Sequence, residues 1–221
     1  MDASALAYDA KGLVTVVVQD RLTGEVRMLA HANEDAIRAT MASGEGHFWS
    51  RSRSALWKKG ETSGHVLRVH EVWADCDRDA VVYLVDPEGP SCHTGAQSCF
   101  FDRALGGVEG RALPMLVRLE DALEARAQSS GDKSYTKSLL EKGAPKIVAK
   151  IREEADELSR AIESESDERV VSEAADVLYH VMVGLLHRRV PLRAVLAELA
   201  KRFGTSGHDE KASRGARTGS A

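Results

Sequence analysis

The hydrophobic rhythm of the chain changes about half-way along. In the first hundred residues the apolar positions come in short, β-branched runs of about four to eight residues, the length and composition of buried or half-buried strands. Leu13–Gln19 and Glu25–Ala30 read as two strands joined by turn chemistry at Asp20–Gly24. Further strands are expected at His47–Ser50, Val66–Trp73, Ala80–Val85 and Ser98–Asp102. One helix interrupts them. Asn33 can cap it, Glu34 and Asp35 complement its positive end, and Gly44 stops it after Ser43. Two polar, glycine-containing loops, Lys58–Gly64 and Asp86–Gly95, separate later strands. This pattern predicts an α+β domain, mostly antiparallel.

The second half has helical periodicity instead. Ile147, Ile151, Ala155, Leu158 and Ile162 recur at spacings of four, four, three and four, and Val170, Val171, Ala174, Val177, Leu178, Val181, Met182 and Leu185 form a wider stripe of the same period. Met115–Ser129, Ser134–Lys142 and Leu192–Phe203 supply further helices, with Pro191 at a natural helix start. An all-α bundle is expected. The glycines and proline between Leu105 and Pro114 mark a join, giving a first domain over 1–107, a linker over 108–114 and a helical domain over 115–203. The tail 204–221 is nearly devoid of apolar residues and is expected to be disordered.

Composition separates the same two halves. All three cysteines, all three tryptophans and 8 of the 11 aromatic residues precede residue 108. The 221 residues are 43% hydrophobic and 29% charged, which excludes a collagenous or wholly disordered chain. A net charge of −4 gives no electrostatic attraction to nucleic acid or to an anionic membrane, so neither is expected as a partner. No apolar run approaches the roughly 18 residues of a membrane span. The opening MDASALAYDAKG has no basic start or apolar stretch of a secretory signal, so the cytosol is the expected compartment. There, cysteines are thiols: buried fillers, nucleophiles or metal ligands.

Candidate chemistry concentrates in two places. Asp75, Cys76, Asp77, Asp79, Cys92, His93 and Cys99 fall within 25 residues. On an extended strand the alternation in Asp75-Cys76-Asp77-Arg78-Asp79 would put three carboxylates on one face and Cys76 on the other. Converging carboxylates repel unless a cation sits among them, and their hard oxygens suit magnesium or calcium, whereas thiolates suit zinc. Cys92 and Cys99 can meet at one metal if the loop holding Gly95 turns back. Three thiolates would leave a fourth position for water, the layout of a catalytic zinc site. The spacing alone also allows ordinary buried cysteines. In the second half, Glu153, Glu154 and Glu157 share one edge of a helix, and Glu173 and Asp176 lie three apart on the next. Such carboxylates either hold magnesium between two helices or form a solvated acidic face.

The segments GLVTVVVQD, TGEVRMLAHANEDAIRATMASGEGHFWSRSR, LWKKGETSG, DCDRDA and SCHTGAQSCF together resemble phosphoribosyl-AMP cyclohydrolase of histidine biosynthesis, from Gly12 to Phe101. The resemblance implies zinc on Cys76, Cys92 and Cys99, with one thiolate contributed by the opposite subunit of a homodimer, and magnesium on Asp75, Asp77 and Asp79. It departs from the family at His31 and Ala32, where aromatic or methionine residues are usual, and at Ala96 and Gln97, where a basic residue is common. In that context Ser50, Arg51, Ser52 and Arg53 become a phosphate lining, since guanidinium forks match phosphate oxygens. Lys59, Glu61, Thr62 and Ser63 of the KKGETSG loop become phosphate or ribose contacts. His93 is open between a fourth ligand, an acid–base group and a support for the metal ligands; proton transfer is the favoured role.

The segments SYTKSLLEKGAPKIVAKIREEADEL and SEAADVLYHVMVGLL resemble phosphoribosyl-ATP pyrophosphatase, from Leu116 to about Phe203, an all-α relative of other nucleotide pyrophosphatases. This implies magnesium on Glu153, Glu154, Glu157, Glu173 and Asp176, with Glu154 and Glu157 catalytic. Together the two resemblances imply a bifunctional hydrolase acting on phosphoribosyl-ATP and then on phosphoribosyl-AMP. The alternative is a nucleotide-pool pyrophosphatase fused to a structural zinc-binding dimerisation module.

Overall fold

The computed structural model describes residues 1–102, 104–105, 112–128 and 134–203 and divides the chain into two compact units, Met1–Arg118 and Leu119–Ala221. The expected linker 108–114 lies partly, and the expected tail 204–221 wholly, outside the described residues.

The first unit is built on a four-stranded sheet of order β2-β1-β6-β5, with β1 at Val14–Asp20, β2 at Val26–Ala32, β5 at Leu67–Ala74 and β6 at Ala80–Pro87. β1 pairs antiparallel with β2 and parallel with β6, and β6 pairs antiparallel with β5. Period-two alternation sends Val14, Val16 and Val18 of β1 and Val81, Tyr83 and Val85 of β6 into one core, which Ile37, Phe48 and Leu67 complete. Helix α1, Glu34–Ser43, lies between β2 and β3 (His47–Ser50). Its expected signals both operate: the Asn33 side chain accepts from the Ala36 N–H at 3.0 Å, and Gly44 takes the left-handed conformation at φ 67°. β3 pairs antiparallel with β4, Ala55–Lys58, in a separate hairpin.

Three readings of this half need correction. Ser98–Asp102 is not a strand, because Ser98 and Cys99 are tied individually to the β2 backbone (Ser98 Oγ to the Val26 carbonyl at 2.7 Å, Cys99 N–H to the Arg27 carbonyl at 2.9 Å). The Asp75–Asp79 stretch is the turn between β5 and β6, not a continuing strand, and Arg78 adopts φ 67° there. Strand β4 was hidden by its flanks, since only Leu56 and Trp57 are apolar beyond a single alanine.

In the second unit α3 (Tyr135–Ser164) and α4 (Asp167–His187) form the principal helix pair, joined by α5 (Leu192–Arg202) and by α2 (Met115–Gln128), which starts at the end of the first unit. The helix read at Ser134–Lys142 and the stripe from Ile147 to Ile162 run into one element kinked at Gly143, whose φ of 71° and ψ of −169° are not helical, with Pro145 following. Ile147 and Leu139 are fully buried on its apolar face. By length and composition α4 is long and apolar enough to cross a membrane, although Glu173, Asp176 and His180 leave it no unbroken apolar run of that length. Here it packs against α3, and its buried Glu173 is ion-paired to Arg169.

Candidate active sites

In the first unit the loop after β6 doubles back as a small hairpin. The Cys92 N–H donates to the Ala96 carbonyl at 3.1 Å, the Ser91 N–H to the Gln97 carbonyl at 3.3 Å, and Gly95 takes φ 87° at the tip. This return brings the Cys99 thiol beside the Cys92 thiol. The Thr94 hydroxyl donates to Cys92 Sγ at 3.2 Å, and with the Thr94 backbone holds the Cys92 thiol below its ordinary pKa. Burial, then the neighbouring Cys92, pushes Cys99 up. Cys92 is thus the readier of the two to ionise.

These two thiols line a depression of 600 Å³ together with Arg53, Lys59, Glu61, Thr62, Ser63 and His93. A second depression of 770 Å³ is lined by Ser50, Arg51, Ser52, Arg53, His31 and His93. Arg53, Trp57 and His93 belong to both. The exposed His93 ring places Nδ1 3.8 Å from Cys92 Sγ. Burial lowers the Lys59 pKa, while Cys99 and Cys92 act in the opposite sense. The Lys58–Gly64 loop is shaped by Gly60, whose φ of 87° lets the chain turn against His65 and Val66.

Cys76 is not among these residues. It is exposed in the β5–β6 turn, and no trio of thiols gathers among the described residues. The same turn does gather its carboxylates: Asp75, Asp77 and Asp79 offer oxygens all within 4.8 Å of one another. Convergence therefore comes from the turn and not from strand alternation. The Ala80 N–H donates to Asp75 at 3.2 Å and holds its pKa down, whereas repulsion from Asp77 and Asp75 raises that of Asp79.

Helical spacing assembles the other cluster. Glu154 and Glu157 of α3 and Glu173 of α4 also lie with oxygens within 4.8 Å, and Glu154 and Glu173 are buried. Each buried carboxylate has its own cation: Lys150 Nζ is 2.6 Å from Glu154, and Arg169 Nη2 is 2.6 Å from Glu173. Burial nevertheless raises the Glu173 pKa, with Arg169 opposing and Glu157 and Asp176 adding to the rise. Glu153 and Asp176 are exposed and outside the tight trio; Glu153 pairs with Lys150 at 2.9 Å.

Several residues here escaped the sequence reading. His180 of α4 is buried, with Nδ1 2.8 Å from the Asp176 carbonyl and 3.8 Å from Glu154, and Nε2 3.1 Å from the Tyr135 hydroxyl. Its place four residues after Asp176 was the available signal. Arg27 sits buried behind the Cys92 hairpin, and a lone arginine inside an apolar strand was its signal. It also accounts for one departure noted above, because Gln97 accepts from Arg27 Nη2 at 2.9 Å, where a cation would be repelled.

Residues 28–101 match the phosphoribosyl-AMP cyclohydrolase family and residues 116–203 the phosphoribosyl-ATP pyrophosphohydrolase family. Across both units the chain is similar to proteins named histidine biosynthesis bifunctional protein HisIE. It is 41% identical over 201 residues to that of Aquifex aeolicus, covering 90% of this chain and 98% of the relative. The figures are 43% over 217 residues, 94% and 95%, for Wolinella succinogenes, and 42% over 224 residues, 95% and 79%, for the chloroplastic protein of Arabidopsis thaliana.

Proposed function

The chain belongs to the histidine biosynthesis bifunctional family that joins a phosphoribosyl-AMP cyclohydrolase to a phosphoribosyl-ATP pyrophosphohydrolase, and from that premise we propose how its residues divide the work. It is a bifunctional hydrolase: one activity converts phosphoribosyl-ATP to phosphoribosyl-AMP and pyrophosphate, and the other opens the adenine ring of phosphoribosyl-AMP. A pool-cleaning pyrophosphatase with a structural zinc module does not fit that membership.

For ring opening, Cys92 and Cys99 would hold zinc together with the partner subunit's Cys76. The soft donors and the hairpin that sets two thiols side by side suit that metal, and the position of Cys76 away from them supports a shared site in a homodimer. Zinc, when bound, lowers the pKa of a water molecule toward about 7. Phosphoribosyl-AMP carries a phosphate on each ribose. Ser50–Arg53 would take one and Lys59–Ser63 the other, leaving the adenine between Arg53, Trp57 and His93. The His93 imidazole would accept the proton of the attacking water and return it to the opening ring. The Asp75, Asp77 and Asp79 oxygens have the hardness and spacing for magnesium.

For pyrophosphate release, Glu154, Glu157 and Glu173 would hold magnesium, with Glu153 and Asp176 at its margin. Magnesium, when bound, spreads the charge of the phosphate oxygens during attack. Lys150 and Arg169 pair with the two buried carboxylates and orient them. Glu157, whose nearest cation is Arg160 at 3.8 Å, is the carboxylate free to take a proton from the attacking water. The cytosol remains the proposed compartment, because thiolate ligands require reducing conditions.

The observation that carries the ring-opening assignment is the meeting of two cation-lined depressions at His93, beside the thiol pair. Arg53→Ala should raise the KM for phosphoribosyl-AMP at least about tenfold while zinc content holds, the scale of a lost charged hydrogen bond to phosphate. An unchanged KM would remove Arg53 and the shared wall from the substrate site.

A further inference from the structure

Arg27 lies in the apolar run Val26-Arg27-Met28-Leu29-Ala30 of β2 and is only 5% exposed. A buried guanidinium is stable only when paired and fully hydrogen-bonded. Glu25, two residues back and so on the same face of the extended chain, meets the charge: Nη1 donates to its carboxylate at 2.7 Å. Three further N–H groups go to one loop. Nε donates to Ser91 Oγ at 3.2 Å, and Nη2 to the Gly89 carbonyl at 3.1 Å and the Gln97 side chain at 2.9 Å. The carbonyl of Arg27 itself accepts from the Cys99 N–H at 2.9 Å. Ser91 precedes Cys92 and Gln97 lies two before Cys99, so both arms of the thiol hairpin are referenced to a single residue.

We infer that Arg27 is a positioning residue that holds the Ser91–Cys99 hairpin in the shape that receives the metal, acting from behind the loop and touching neither metal nor substrate. The planar fork fixes three acceptors at set angles, which an ammonium on a flexible stem cannot do. The loop needs such restraint, because Gly89 and Gly95 both take positive φ and hold no side chain to pack. A hairpin already ordered before metal arrives loses less chain freedom on binding. The inference rests on Cys92 and Cys99 being zinc ligands.

The test is zinc affinity of the full chain, measured by competition with a chromophoric chelator, with cobalt substitution to report thiolate ligation by absorption. Ser91→Ala with Gln97→Ala cuts two tethers while leaving the buried Arg27–Glu25 pair intact. Zinc affinity should fall about 10- to 100-fold, the usual effect of removing groups that orient metal ligands. Arg27→Lys keeps the charge and loses the fork, and should fall by a similar factor. Circular dichroism should show unchanged folding, and pyrophosphate release should be unaltered. If the double variant does not fold, Gln97→Ala alone decides, since that side chain is exposed; it should lose at least about threefold, toward the lower end of that range. Folded variants that bind zinc as tightly as the parent overturn the inference. A parent chain that binds no zinc at all overturns the zinc assignment instead.

Discussion

The two carboxylate trios of this molecule are held in opposite ways. Asp75, Asp77 and Asp79 crowd an exposed turn, where the Ala80 N–H supports Asp75 while repulsion is still felt at Asp79. Glu154, Glu157 and Glu173 crowd the seam between two helices, and the two buried members are each paired with a cation, Lys150 or Arg169. Solvent screening makes the first arrangement cheap to fold without a counter-charge. Desolvation makes the second costly unless the pairing is built in. The two buried carboxylates of the helical site are therefore paired before any ligand arrives. The loop site is an assembly of separately anchored pieces: a turn, a hairpin and two polar segments.

Variants can break that contrast, and the largest effect belongs to the thiols. Cys92→Ser should abolish ring opening and reduce bound zinc, with pyrophosphate release from phosphoribosyl-ATP unchanged; assaying both products on one preparation checks it. Ring opening that survives would detach the thiol pair from the chemistry. Next comes Glu157→Gln, which removes charge and keeps size. We expect pyrophosphate release to drop about 100-fold, the scale for loss of an electrostatic catalytic group, while supplied phosphoribosyl-AMP is opened at the normal rate. A loss below threefold would remove Glu157 from the chemistry of pyrophosphate release.

A smaller effect is expected at Gly60. Its φ is 87°, and an added Cβ would stand 2.6 Å from backbone atoms of His65 and Val66. Gly60→Ala should therefore displace the Lys59–Ser63 segment at a local expense above about 1 kcal/mol. The expected readout is a raised KM for phosphoribosyl-AMP at constant zinc content, and an unchanged KM counts against a substrate role for that segment.

The smallest effect concerns Glu45, which takes Lys58 Nζ at 2.7 Å and Arg68 Nη1 at 2.6 Å. The Lys58 hydrogen bond, aided by both charges, holds its pKa below the ordinary 4.5. A depressed folded-state value stabilises the protein above the unfolded value and ceases to do so as pH falls through the folded one. Melting curves of the parent and Glu45→Gln should thus differ at pH 7 and converge only as the pH falls below 4.5 and through the folded value. A gap independent of pH would assign the difference to packing.

The same contrast explains what could be read from the residues. On a helix, spacing is geometry: Glu154 and Glu157 at three apart had to share a face, and Ile147 to Ile162 had to form the packed stripe. Strands β1, β2, β5 and β6 and the Asn33 and Gly44 caps were legible for similar local reasons. In turns, spacing carries little. The Asp75–Asp79 trio converges because Arg78 turns the chain, not because residues alternate, and the strand expected at Ser98 gives way to tethers from β2. Arg27 was invisible as a hub because the loop partners of its side chain lie 62 to 70 positions away.

The parallel pairing of β1 with β6 sets a timetable for synthesis. Thr15 finds its partner only when Ala80 has been made. At roughly 5–20 residues per second, those intervening residues keep the β1 edge waiting for about 3–13 s. Only β2 guards the strand meanwhile, through an antiparallel hairpin that forms early. The helical unit has no such delay, since α3 and α4 are neighbours in the chain. Nascent-chain folding should therefore be limited by the sheet, with the Val14-Thr15-Val16-Val17-Val18 run as the segment in most need of a chaperone.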